Sequence, residues 1–129
     1  AGVVAFEETM RRFPPSVEVQ PVPLSVREDK VLIKATATDA DKLIDAYVFV
    51  GNRKIFYRSN RNGADPKRMT FETPVPLRPG VNVITVVARE NNDTVGRRTL
   101  IIRRDGPNGE ILQTPKTEED LEQAGAADD

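Results

Sequence analysis

The chain lacks cysteine, histidine and tryptophan, and each absence removes a class of function. Without cysteine there are no disulfides and no thiolate ligands for a metal. Without histidine, Ser-His-Asp triads, Cys-His pairs and imidazole-based zinc sites are excluded. No run approaches the roughly 20 apolar residues of a membrane-spanning helix, so we expect no membrane insertion. We also expect no cofactor and no resident metal.

Aromatic residues are scarce as well, at 5% of 129 residues, whereas apolar residues make up 38%. The core must therefore be built mainly from valine, isoleucine and leucine. This length suits one domain of ordinary size. No secretory signal is visible after Ala1, so we expect that any export signal would lie upstream.

Residues 73–105 carry the clearest pattern in the chain. Pro79-Gly80 predicts a turn, because proline presets φ and glycine accepts a positive φ. A second reversal is indicated at 91–93, where two asparagines precede an aspartate. Between the two turns, apolar side chains recur at every second position, as in a strand with one buried face. Ile84, Val86 and Ala88 carry this repeat.

Six further segments have strand composition and are separated by turn residues, which predicts an all-β, immunoglobulin-like antiparallel sandwich of about seven strands. The predicted strands are 17–22, 30–38, 44–50, 54–58, 69–73, 82–90 and 94–103. A tight hairpin is expected at Gly51-Asn52-Arg53, and the loop 59–67 is expected to cross between the sheets. The predicted shared core consists of Ile33, Phe71, Leu77, Ile84, Val86 and Leu100.

The two ends of the chain differ from this middle part. Residues 3–13 have helical spacing of apolar side chains, so we predict a short N-terminal linker helix within 1–15, ended by Pro14-Pro15. The sandwich is assigned to 16–106. Residues 107–129 are predicted to form a disordered acidic tail, because seven acids against one lysine follow position 109. The sandwich segment up to that position is mildly basic.

Two stretches resemble a known family. They are DAYVFVGNRKIFYRSN at 45–60 and VPLRPGVNVITVVARENNDTVGRRTLIIRRDG at 75–106. Together they resemble the immunoglobulin-like C-terminal accessory domain of myxobacterial-type tail-specific (carboxyl-terminal processing) serine proteases, over residues 13–106. The resemblance implies a non-catalytic part of a PDZ-containing parent in the bacterial periplasm or cell envelope. It carries over no residue of the Ser/Lys dyad, because the protease motif does not occur here.

The hairpin at 45–58 is the candidate functional site, because both of its faces are apolar and a sheet with one wet face does not need that. One interpretation is that the N-terminal helix covers the second face. The other is that this face docks the parent protease or its protein substrate. The residues proposed for docking are Tyr47, Phe49, Ile55, Tyr57, Arg53 and Arg58.

Three other constellations are weaker. Basic residues gather around the hairpin and the following loop, from Arg53 to Arg68, and a solvated face explains them better than nucleic-acid binding; the acidic tail could fold back on this patch. A possible set of oxygen ligands for calcium is formed by Asp39, Asp41 and Asp45, but their spacing is not that of an EF-hand. Glu72 and Glu90 are the candidates for the carboxylate pair of a glycosidase. Strand periodicity places each of them on the wet face of a sheet, so we do not expect this activity.

We therefore predict a non-catalytic docking domain, monomeric in isolation, that contacts protein and not nucleic acid. The alternative is a carbohydrate-binding or adhesion module. The absence of tryptophan, with only Tyr47 and Tyr57 as amphipathic rings, speaks against that alternative.

Overall fold

A computed structural model describes residues 13–115, which form two sheets packed face to face, antiparallel except at one short edge pairing. Because alternate side chains of each strand are apolar, each sheet has one face to bury, and burying both against each other gives the core. Eight strands are present: β1 (Ser16–Val19), β2 (Ser25–Val26), β3 (Lys30–Thr38), β4 (Asp45–Val50), β5 (Arg53–Ser59), β6 (Arg68–Pro76), β7 (Gly80–Arg89) and β8 (Val95–Arg104).

One sheet has the order β1-β3-β6, and the other has the order β2-β8-β7-β4-β5. The immunoglobulin-like sandwich predicted from the sequence is thus confirmed. All seven predicted strands are present, and their largest differences in bounds, three residues, fall at the ends of β1 and β6. β6 continues through Pro74 and Pro76 because it is an edge strand, where a missing N–H does no harm. The loop after β5 crosses between the sheets, as predicted.

The strand that sequence reasoning missed is β2. It is only two residues long and pairs in parallel with the end of β8, from Ser25 opposite Arg103 to Val26 opposite Arg104. Prolines at 21 and 23 precede it, and only the neighbouring strand makes the short ladder possible. β2 closes the five-stranded sheet on the side away from the β4–β5 hairpin.

The core lies between the sheets and is aliphatic, as the composition requires. Its largest fully buried side chains are Ile33, Val48, Val75, Ile84, Val86 and Ile102. Of the six predicted core residues, five are buried, and Leu100 is half-buried and packs against the same cluster.

Both predicted end segments extend beyond the described residues. The predicted helix at 3–13 lies outside the described residues, apart from exposed Phe13. Residues 107–115 belong to the predicted tail, and Thr114 of this segment contacts the sandwich. The Gly106 N–H donates to the Glu110 carbonyl at 2.8 Å, and the Val81 N–H donates to Thr114 Oγ1 at 2.9 Å. These hydrogen bonds need few apolar residues, so composition did not reveal them. The rest of the predicted tail, 116–129, lies outside the described residues.

The described residues contain no helix with the length and apolarity to cross a membrane.

Candidate functional site

The β4–β5 hairpin distributes its aromatic rings between two faces. Val48 pairs with Phe56 on the core side, where Phe56 stacks on Phe71 with ring centroids 5.1 Å apart. Tyr47 pairs with Tyr57 on the opposite side, and their ring centroids are 5.2 Å apart. Phe49 lies 6.2 Å from Tyr47 on this same side. The hairpin therefore presents three aromatic rings on the side of the sheet that faces away from the core.

A β-bulge changes the composition of that aromatic group. The register shifts between Val48 and Phe49, so that Phe49 pairs with Lys54 and one extra residue, Ile55, is left between two ladder positions. Ile55 packs against the core instead of joining Tyr57. The predicted placement of Ile55 beside Tyr57 on one docking face is therefore wrong. Strict alternation from Tyr57 had suggested it.

The two arginines of the predicted site, Arg53 and Arg58, do not lie beside the Tyr47, Phe49 and Tyr57 rings. Arg58 lies over the Phe56 ring at 5.4 Å and donates to the Thr70 carbonyl at 3.4 Å, so it bridges the edges of the two sheets. Arg53 pairs with Val50, a residue that packs against the core. Lys54 takes their place: its Nζ lies 4.5 Å from the centroid of Tyr47 and 5.9 Å from that of Tyr57.

The aromatic group rests on a buried carboxylate that sequence reasoning had assigned to a different role. Asp45 is 3% exposed, and its two oxygens accept hydrogen bonds from Arg89 Nε at 2.7 Å and Nη2 at 2.6 Å. The hydroxyls of Tyr47 and Tyr57 donate to the same carboxylate at 3.2 and 3.4 Å. Arg89 also lies 5.1 Å from the Tyr47 centroid. Asp45 therefore fixes the orientation of both tyrosines.

The charge state of this cluster follows from its contacts. Burial raises the pKa of Asp45, but the hydrogen bonds and charge of Arg89 and the two tyrosine hydroxyls outweigh it, and the net pKa lies below 3.8. Burial and then the negative charge of Asp45 raise the pKa of the Tyr47 hydroxyl. The Asp45–Arg89 pair is therefore ionised at neutral pH, and the Tyr47 hydroxyl is protonated. Asp45, Tyr47 and Arg89 alternate on one side of β4 and β7, which is the signal that could have revealed the pair.

The surface continues across β7 and β8, which sequence reasoning did not recognise. Val83 pairs with Ile101, and Val81 pairs with Arg103 in the next row. The exposed fractions are 42% for Val83, 59% for Ile101, 46% for Val81 and 53% for Tyr57. We call this surface the outer face and define it by Tyr47, Phe49, Lys54, Tyr57, Val81, Val83 and Ile101.

Of the three calcium candidates, Asp45 does not join the other two. Asp39 Oδ2 accepts the backbone N–H groups of Asp41 and Lys42 at 3.3 and 3.0 Å, which is a local turn. Asp45 is committed to Arg89. No cluster of carboxylates suited to a metal ion occurs between residues 13 and 115.

The remaining charged candidates are separate from one another. Glu72 pairs with Lys34 at 3.8 Å on the three-stranded sheet, whereas Glu90 follows β7 of the other sheet. They do not form the facing pair that glycoside hydrolysis requires. The loop cations Arg61, Lys67 and Arg68 are exposed at the far end of β5. None of these groups adjoins the outer face.

No protein-family model matches this chain, and no curated protein sequence matches it either. Among solved structures, the chain is similar to the fibronectin(III)-like modules of Clostridium thermocellum CbhA, with a TM-score of 0.52 and 18% sequence identity. The superposition covers 81% of this chain and 53% of that one, so this chain spans about half the length of its structural neighbour. The described part of this protein has the immunoglobulin-like β-sandwich fold shared by such modules.

Proposed function

We propose that this domain is a non-catalytic docking module that contacts another protein through the outer face. The observation that carries the proposal is the set of exposed apolar side chains on this side of the five-stranded sheet, Tyr57, Val81, Val83 and Ile101. Exposed apolar surface is typical of interaction sites, and aromatic residues are among the commonest binding hot spots. The Asp45–Arg89 pair holds the tyrosines in place before a partner arrives, which lowers the entropy cost of binding.

We further propose that the domain is an accessory part of a periplasmic or envelope tail-specific serine protease. The support for this is the sequence resemblance over residues 13–106. The partner of the outer face would then be another domain of the protease or its protein substrate. Reading the gene upstream of Ala1 tests this assignment directly, because a catalytic Ser/Lys domain and a PDZ domain should be encoded there.

Carbohydrate binding is the second candidate, and the exposed ring of Tyr57 beside polar groups is the observation in its favour. Sugar platforms use flat, accessible rings, however, and the Tyr47 and Tyr57 rings are inclined by 42°. Lys54 and Arg89 also lie against the Tyr47 ring. A protein partner with apolar side chains fits this surface better than a sugar ring does.

Paired substitutions in the full-length parent test the docking function. The double substitution Tyr57→Ser with Ile101→Ser should reduce processing of the protein substrate, or lower the yield of chemical crosslinks between this domain and the rest of the protein. The matched control is Leu32→Ser, because this side chain is 47% exposed on the three-stranded sheet, away from the outer face. Equal activity and crosslinking in both variants would reject docking. Binding of oligosaccharides that is abolished by Tyr57→Ser alone would favour the second candidate.

A further inference from the structure

The outer face has an excess of positive charge. Of the strand residues described on this face, Asp45 is the one carboxylate, and Arg89 neutralises it. Arg103 Nε lies 2.7 Å from Asp105 Oδ1, so this second arginine is also neutralised. Two cations on this side of the sheet have no ion pair within the described part of the chain: Lys54, and Arg97, which pairs with Val87 beside Tyr47. A segment that covers this face should therefore combine carboxylates with some apolar side chains.

The described chain leaves the sandwich at one end of the outer face. Thr114 accepts the Val81 N–H, and its atoms approach Gly80 so closely that a Cβ there would lie 2.5 Å from Thr114 Oγ1. Val81 belongs to the outer face, and Val83 and Ile101 form the next row. The loop cations near Arg68 lie beyond the opposite end of the same sheet, because Asn60 bonds to Ile44, which in turn bonds to Arg89. Residues after 115 thus start beside the apolar rows.

The composition of residues 116–129, KTEEDLEQAGAADD, complements the positive and apolar outer face. They contain six acids, one lysine and Leu121. An extended segment of this length spans up to roughly 46 Å, whereas the distance along β7 from Val81 to Val87 is about 20 Å. Because the segment is covalently attached, its effective concentration at the face is on the order of millimolar.

We propose that residues 116–129 dock on the outer face of their own chain and compete there with the protein partner. The acids contact Lys54 and Arg97, and Leu121 covers the Val83–Ile101 row. The competition rests on the docking function proposed above, but the intramolecular contact does not. Since the contact is largely between exposed charges, salt weakens it.

The cysteine-free chain allows a direct test on the full-length domain. A nitroxide on Ala124→Cys should broaden the amide NMR signals of Val83 and Ile101 but not those of Lys34 and Glu72 on the three-stranded sheet. Raising the salt to about 0.5 M, where the Debye length is roughly 4 Å, should weaken the broadening. Tyr47 and Tyr57 are the chain's two tyrosines and there is no tryptophan, so intrinsic fluorescence reports on the same face without a label.

Charge variants identify the residues involved. Neutralising Glu118, Glu119, Asp120 and Glu122 to their amides should abolish the broadening, and so should Lys54→Gln with Arg97→Gln. The matched control, Arg61→Gln with Lys67→Gln, makes the same charge change at the far end and should leave it intact. Equal broadening of both sheets, or loss in the control as well, overturns the proposal. If the segment does not dock but Tyr57→Ser with Ile101→Ser still disrupts partner contact, the docking of the segment is rejected and the docking function of the domain stands.

Discussion

At the scale of single residues, the buried carboxylate of Asp45 organises the outer face. It accepts two hydrogen bonds from Arg89 and one each from Tyr47 and Tyr57. These donors satisfy most of the acceptor capacity of a carboxylate, which explains how a charge can be 3% exposed without a metal. The same contacts keep both phenol rings in fixed orientations. Asp45 is therefore a positioning residue for the aromatic surface.

Replacing Asp45 by asparagine should reduce the free energy of unfolding by about 3 kcal/mol, because it leaves Arg89 partly buried without its counterion. Urea unfolding at pH 7 measures the change. The control is Asp93→Asn, since Asp93 is exposed in the loop between β7 and β8. If both substitutions cost the same small amount, the Asp45–Arg89 pair contributes no net stability.

The stability conferred by this pair should depend on pH in a defined window. The folded-state pKa of Asp45 lies below its unfolded value of 3.8. A depressed acid pKa means that the contribution is fully present above pH 3.8 and is lost as pH falls through the folded pKa. The difference in unfolding free energy between the native protein and Asp45→Asn should therefore shrink below pH 3.8. A difference that stays constant down to pH 2 would contradict this assignment.

At the scale of elements, β7 shows what alternation in the sequence can predict. The inward positions Ile84, Val86 and Ala88 are fully buried, as their spacing indicated. Features that depend on neighbouring strands were not predictable in this way. The bulge that removes Ile55 from the outer face inserts a single residue and leaves no compositional trace. Likewise, the Thr114 contact with Val81 joins residues that are far apart in sequence.

The candidate site was predictable to a similar extent. Tyr47, Phe49 and Tyr57 lie together as expected, because period two places them on one side of their strands. The contributions of Val83, Ile101 and Lys54 required the strand order and the register. Single strands do not reveal which other strand continues their exposed face.

Adjacent substitutions on β7 test the assignment of its two faces. Ile84→Ala should cost about 2 to 5 kcal/mol, because it removes buried methyl groups and leaves a cavity. Val83→Ala, one position along the same strand, should cost less than about 0.5 kcal/mol, because Val83 is exposed. Thermal or urea unfolding of the two variants provides the comparison. Similar costs at both positions would mean that β7 does not separate core from surface.

At the scale of the whole molecule, the free sheet edges and the outer face differ in how they can associate. β5 carries Arg53, Lys54 and Arg58 and a bulge, and β6 carries Pro74 and Pro76. Charges, bulges and prolines on edge strands discourage pairing with another chain. The outer face has no such protection. Association should therefore occur through side chains of the five-stranded sheet, without strand addition at its edges.

Replacing Pro74 and Pro76 together by threonine tests this distinction. The two prolines are two residues apart on an edge strand, so both substitutions add N–H groups that point in the same direction, away from β3. An incoming strand can then pair with β6, and self-association should rise with protein concentration. Sedimentation velocity measures it, with Pro107→Thr as the control, because Pro107 lies in a turn outside the sheets. If the double variant sediments like the control at every concentration, the prolines are not what keeps this edge from pairing. If its association is reversed by Tyr57→Ser with Ile101→Ser, the outer face, and not the edge, is the route by which these domains meet.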